Sequence, residues 1–192
     1  MEQIRSFIAI ELPDVLKREL SQLEAQLKLS QPSSVKWVDP YGIHLTLKFL
    51  GNIATDLIGD ITRVMEESSG RIPPFRLEVK NLGVFPNIRR TQVVWVGVGG
   101  EVDKLAQLQR RIESNLAQLG FTPDSRPFTP HLTLARLRPQ AASNERQKFG
   151  QFVVDTEFTA ISAIEVDTIS LMRSQLTREG AVYSQISSVG LS

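Results

Sequence analysis

At 192 residues, 41% of them hydrophobic and 22% charged, the chain has enough apolar material for one folded domain of ordinary size. It contains no cysteine, which excludes disulfide frameworks, thiol nucleophiles, thiolate zinc sites and iron–sulfur clusters. A formal net charge of +1 supplies no global field for a polyanion, so any such partner has to be held by a local cluster.

In chain order, IRSFIAIEL (4–12) alternates as a strand, with Phe7, Ala9 and Glu11 on one face and Ile8 and Ile10 on the other. Pro13-Asp14 opens a helix in which Val15, Leu16, Leu20, Leu23 and Leu27 recur at helical spacing. QPSS (31–34) is a loop, and KWVDPYG leads into a strand within GIHLTLKFLG (42–51). A second helix fits roughly 55–69, with Leu57, Ile58, Ile61, Val64 and Met65 on one face and Gly70 as its stop. Strands follow at 75–85 and 91–99, separated by the turn PNIRR, and then a helix over about 101–119 that ends at Gly120. A second strand lies in TPHLTLARLR (129–138), followed by a short polar helix at 143–150 and by strands at 158–175 and 182–190 joined at TREG. This order predicts one α+β domain over residues 1–192. It is bilobal and pseudo-twofold, with an antiparallel sheet in each lobe, helices outside and one HLTL strand per lobe facing a central cleft. No apolar run approaches the roughly 18 residues that span a bilayer, and MEQIRSFIAIELP lacks the features of a signal peptide. The expected location is the cytoplasm, as a monomer away from membranes.

The only two histidines, His44 and His131, each open a copy of HLTL. At this composition a given histidine is followed by Leu-Thr-Leu only roughly once in a thousand cases. Strand alternation places Ile43, Leu45 and Leu47 on a buried face and His44, Thr46 and Lys48 on the other. In the second copy Leu132 and Leu134 are buried, and His131 and Thr133 face outward. A lone His-x-Thr is usually a half-buried structural pair; two copies at matching places point to one shared site. Two imidazoles can serve as acid and base near neutral pH, and two hydroxyls can hold the oxygens of a tetrahedral anion. In-line displacement at a phosphodiester needs that set, with one group deprotonating water and the other protonating the leaving sugar oxygen. Zinc is the competing reading, but catalytic zinc usually takes three protein ligands, and Asp39 and Asp124, the nearest acids, have no ligand-like spacing. The sequence therefore predicts acid–base chemistry with no metal and no cofactor, and leaves open which histidine is the acid.

RSFIAIELP, KWVDPYGIHLTLKFLG, LGVFPNIRRTQVVWVGV, RPFTPHLTLARLR and IEVDTISLMRSQLTREGAVYSQI together resemble the two-histidine (2H) phosphoesterases. Within them the chain is most similar to the RNA 2′,3′-cyclic phosphodiesterases, also called 2′-5′ RNA ligase-like proteins. The resemblance implies hydrolysis of RNA-terminal 2′,3′-cyclic phosphates, as on tRNA halves, to 2′-phosphates, and reversible ATP-independent 2′-5′ ligation. It implies that His44 is the proton donor, that His131 is the proton acceptor, and that Thr46 and Thr133 bind phosphate. Arg136 matches a position that can contact substrate, yet strict alternation would bury it beside Leu132 and Leu134 unless the strand ends or bulges first. Arg89 and Arg90 sit in a loop where a binding arm could lie, with plain surface at least as good a reading, and Phe85, Trp37, Tyr41 and Phe128 are candidate base-stacking rings, although rings near such motifs more often belong to the core. Two other readings are a phosphodiesterase for a small nucleotide such as ADP-ribose 1″,2″-cyclic phosphate, and a non-catalytic module that grips RNA ends.

Overall fold

The alternation in the opening residues becomes a nine-residue strand, β1 (Gln3–Glu11), in a computed structural model that describes residues 2–192. The elements that follow are α1 (Asp14–Lys28), β2 (Val35–Trp37), β3 (His44–Ala54), α2 (Ile58–Ser69), β4 (Phe75–Phe85) and β5 (Val93–Gly100). The chain continues with α3 (Val102–Gln118), β6 (His131–Leu137), α4 (Ser143–Asp155), β7 (Ile164–Val166), β8 (Thr168–Leu176) and β9 (Ala181–Gly190). The strands form two antiparallel sheets, one ordered β3-β1-β8-β9 and the other β2-β6-β5-β4-β7. This is the expected α+β class, with one HLTL strand in each sheet.

Three local readings need correction. Val15 lies 51% exposed, off the stripe that Leu16, Leu20, Leu23 and Leu27 bury; it sits one step round the helix from that stripe, where the wheel already meets solvent. The polar helix continues to Asp155, five residues beyond the predicted end, because Phe149, Gly150 and Val153 are buried. Gly150 permits this: a Cβ there would lie 2.1 Å from Thr91 Oγ1 and 2.9 Å from the Ile88 carbonyl. The third correction, the placement of Lys48, belongs to the site.

The lobes are not the two halves of the sequence. β8 and β9, from the end of the chain, complete the sheet that β1 begins. The helices cross over as well. α1 follows a strand of the first sheet but is tied to the second: Lys28 lies over the Trp37 ring of β2, and the Glu19 carboxylate accepts the backbone N–H groups of Ile161 and Ser162 just before β7. α3 follows a strand of the second sheet but is tied to the first, through Glu113 to Lys48 of β3. α2 backs the same sheet, with Thr62 hydrogen-bonded to Ser187 and Ser69 donating to the Gly190 carbonyl of β9. One continuous apolar core runs under both sheets, from Ile8 and Leu45 to Leu132 and Val153. Among the described residues, no helix is long and apolar enough to cross a membrane.

Glu24 is an ionisable misfit in the core. Glu24, on the buried stripe of α1, has its carboxyl pushed up to about 7 by burial, with Lys28 at 3.7 Å offsetting part of the cost. Between the ordinary carboxyl range and pH 7 the folded chain keeps a proton that the unfolded chain has lost, so stability falls as pH rises through that window. Glu24→Gln is expected to stabilise the fold by roughly 2 kcal/mol at pH 8 and by almost nothing at pH 4. Urea unfolding at the two pH values checks this; an equal effect at both would show that the carboxyl is not held neutral.

Candidate active site

Both histidines begin their strands, and both are fixed in the same way. His44 Nδ1–H donates to the carbonyl of Gly42 at 2.8 Å, and His131 Nδ1–H donates to that of Thr129 at 2.7 Å. A carbonyl can only accept, so each contact places the hydrogen on Nδ1 and leaves Nε2 as the nitrogen available for proton exchange. Thr46 and Thr133 follow two residues on, on the same face and half-buried like the imidazoles. The strands β3 and β6 that carry the two sets run close to one another.

The strands share a second device. In β3, Thr46 faces Ala9 and Lys48 faces Ile8, which leaves Leu47 as an extra residue. In β6, Thr133 faces Trp95 and Ala135 faces Val94, which leaves Leu134 extra. Each HLTL therefore carries a β-bulge at its final leucine, and a bulge reverses the phase of alternation beyond it. That reversal turns Lys48 and Ala135 inward and Phe49 and Arg136 outward. Lys48 is accordingly not beside His44 and Thr46: it is 3% exposed, with Nζ 3.0 Å from both Glu113 and Asp124 and 2.9 Å from the Thr122 carbonyl. Arg136, which strict alternation would have buried, is exposed on the face of His131 and Thr133. Lys36 stands opposite it in β2, also exposed. Among the described residues neither is in a salt bridge, so two like charges sit side by side without a counter-charge.

The surroundings of the two imidazoles differ. His44 stacks on Phe7 (ring centroids 4.4 Å apart, planes at 23°) and meets the edge of Tyr183 at 4.9 Å. Burial there holds its pKa below the ordinary histidine value; the Gly42 carbonyl and the Glu11 carboxylate push the other way without overcoming it. Glu11 faces His44 across the β1–β3 pair and accepts a hydrogen bond from Ser170 at 2.8 Å, whereas Gly97 faces His131. His131 meets the edge of Phe85 at 5.1 Å, and Phe85 packs on Trp95 at 5.2 Å.

The candidate rings separate accordingly. Phe85 touches a site imidazole. Trp37 packs on Phe149 away from the site, Phe128 packs against the core, and Tyr41 is exposed next to the turn before β3. Asp39 caps that turn by accepting the Tyr41 N–H, and Asp124 pairs with Lys48. Among the described residues, no three His, Asp or Glu side chains are grouped as a metal-ligand set. Residues not singled out from the sequence include Phe7, Tyr183, Phe49 and Trp95. The outward phase of Phe7, shared with Ala9 and Glu11, was a legible signal; Tyr183 offered none without the pairing of β1 with β8 and β8 with β9.

With this geometry in place, residues 12–178 match the 2′-5′ RNA ligase superfamily. The chain belongs to that superfamily. Membership makes it a 2H phosphoesterase. A relative from Methanothermobacter thermautotrophicus, named RNA 2′,3′-cyclic phosphodiesterase, is 31% identical over 96% of this chain and 97% of its own length. One from Aeropyrum pernix with the same name is 34% identical over 79% and 84%. Among solved structures, TT0787 of Thermus thermophilus superposes with a TM-score of 0.79 at 27% identity, covering 98% of both chains. Escherichia coli LigT, crystallised with 3′-AMP, gives 0.78 over 99% of both chains at 24% identity, a likeness of fold.

Proposed function

We propose that this superfamily member is a cytoplasmic, monomeric RNA 2′,3′-cyclic phosphodiesterase that works by acid–base catalysis between its two histidines. The observation that carries the reading is the matched pair of imidazoles, each with Nδ1 tied to a carbonyl two residues earlier and Nε2 left to move a proton. Relatives bearing that activity in their names match nearly the whole chain.

In this reading a terminal 2′,3′-cyclic phosphate lies between Nε2 of His44 and Nε2 of His131, with the Thr46 and Thr133 hydroxyls donating to its non-bridging oxygens. His131 takes a proton from the attacking water as the new P–O bond forms. The P–O3′ bond breaks, and His44 delivers a proton to the departing 3′-oxygen, leaving a 2′-phosphate. Burial disfavours a protonated His44, and the Glu11 carboxylate across the β1–β3 pair offsets part of that. An anionic phosphate beside His44 pushes the same way as Glu11 and favours the proton. Arg136, turned outward by the bulge and, among the described residues, outside any salt bridge, contacts the substrate's phosphate through its planar fork. With a 5′-hydroxyl in place of the attacking water, the same groups join RNA ends through a 2′-5′ bond without ATP, and the step is reversible. RNA ends left by cleavage, such as tRNA halves, are substrates of this class.

The deciding experiment incubates a short RNA ending in a 2′,3′-cyclic phosphate with the protein in excess EDTA and reads the phosphate position by ³¹P NMR. Conversion to a 2′-phosphate is expected. Activity that appears only when a divalent cation is added back would make the histidines ligands and end the acid–base account.

A further inference from the structure

Beyond the histidines, on the same face of the second sheet, an open groove of about 540 Å³ runs along β4. Trp95 forms its floor, and Val84, Ile88, Val154 and Arg89 form its walls. Trp95 is the cross-strand neighbour of Thr133, so the floor begins one strand away from a candidate phosphate ligand. Its indole lies flat because the facing position is Gly83: a Cβ there would fall 2.0 Å from the six-membered ring. The missing side chain thus opens an aromatic shelf where any other residue would stand the indole on edge or displace it.

The loop that carries Arg89 is held rigidly. Asn87 caps the short turn Ile88–Arg90 by accepting the Arg90 N–H, the α4 glycine Gly150 packs directly beneath it, and Arg146 donates to the Thr91 carbonyl at 2.8 Å. Arg89 itself is exposed and, among the described residues, has no salt-bridge partner; no carboxylate lines the groove. A flat aromatic floor with an unneutralised guanidinium at its edge fits a nucleobase together with its phosphate. Phe85 decides which base: its ring stands between Trp95 and His131, touching both, so the shelf lies beyond the reacting group rather than against it.

Resting on the activity proposed above, we infer that the Trp95–Arg89 groove binds the nucleotide 5′ to the reacting end, stacking its base on Trp95 and pairing its phosphate with Arg89. The site thereby prefers oligonucleotide ends to mononucleotides. Stacking at this strength corresponds to about a tenfold gain in kcat/KM for a tetranucleotide 2′,3′-cyclic phosphate over a mononucleoside 2′,3′-cyclic phosphate.

Two measurements test the inference. The first is the ratio of kcat/KM on those two substrates, which is expected near ten or above and is expected to fall in Arg89→Ala toward what stacking alone supplies. Equal values in the unaltered protein, or an unchanged ratio in the variant, would overturn the groove while leaving the phosphodiesterase intact. The second uses Trp37→Phe, which leaves Trp95 as the sole tryptophan. Quenching of its fluorescence by a tetranucleotide ending in a 3′-phosphate, but not by a mononucleoside 3′-phosphate, supports stacking; equal or absent quenching refutes it. If neither cyclic substrate turns over, the proposed activity fails, and the fluorescence still decides the groove.

Discussion

His44→Ala and His131→Asn are each expected to lower kcat on a cyclic-phosphate-ended RNA by about 10²–10⁴-fold, the range a positioned acid or base supplies. The two losses should not add, because one proton leaves as the other arrives in a single displacement. The double variant should therefore sit close to the worse single one. Circular dichroism and thermal unfolding serve as controls, since His44 also packs on Phe7 and Tyr183. Titration of His44 tests its part directly. Its imidazolium, followed by NMR in the free protein, is expected to lose its proton below the ordinary histidine value, and to hold it to higher pH with inorganic phosphate bound, because the anion favours the charged ring. A value that does not rise with phosphate would count against His44 as the proton donor. Full activity in both histidine variants would remove the mechanism altogether.

Lys48→Met is expected to cost about 3 kcal/mol of stability, the usual loss when one partner of a buried ion pair is removed and the other charge stays behind. Here the charge left behind is chiefly Glu113, since Asp124 is largely exposed. For a chain of this length the loss corresponds to a fall of about 6–12 °C in Tm. Lys48 also holds the Thr122 carbonyl, in the segment that leads from α3 toward His131. Loosening it should affect the second motif as well as the first strand. Calorimetry on Lys48→Met and on Lys48→Met/Glu113→Leu distinguishes the stranded charge from lost packing: the second change should recover much of the loss. A fall of less than about 1 kcal/mol in the single variant would mean that the network behaves as a surface feature.

Lys48 also marks the limit of what the sequence discloses. Period-two alternation located β1, β4 and β6 almost to the residue, and helical spacing located α2 and α3, because long amphipathic elements write their burial into their order. Alternation also put His44 and Thr46, and His131 and Thr133, on matching faces. It failed one step later in both motifs, at Leu47 and Leu134, since an extra residue in a ladder has no signature in residue type. That single unseen step misplaced Lys48 and left Arg136 undecided. Trp95 escaped for a related reason: VVWVGV reads simply as a strand, and the meaning of Gly83 is evident only when β4 lies beside it. Which strands join which sheet was likewise outside local pattern, because β8 and β9 reach β1 from the far end of the chain.

The exchange of helices between the sheets determines how firmly the two sheets are joined. α1 leaves the first sheet to brace the second, and α3 leaves the second to brace the first. Spreading the sheets apart would strip both helices from the surfaces they cover at the same moment. The molecule is thus laced rather than hinged, and the strands that carry its two imidazoles are held at one spacing.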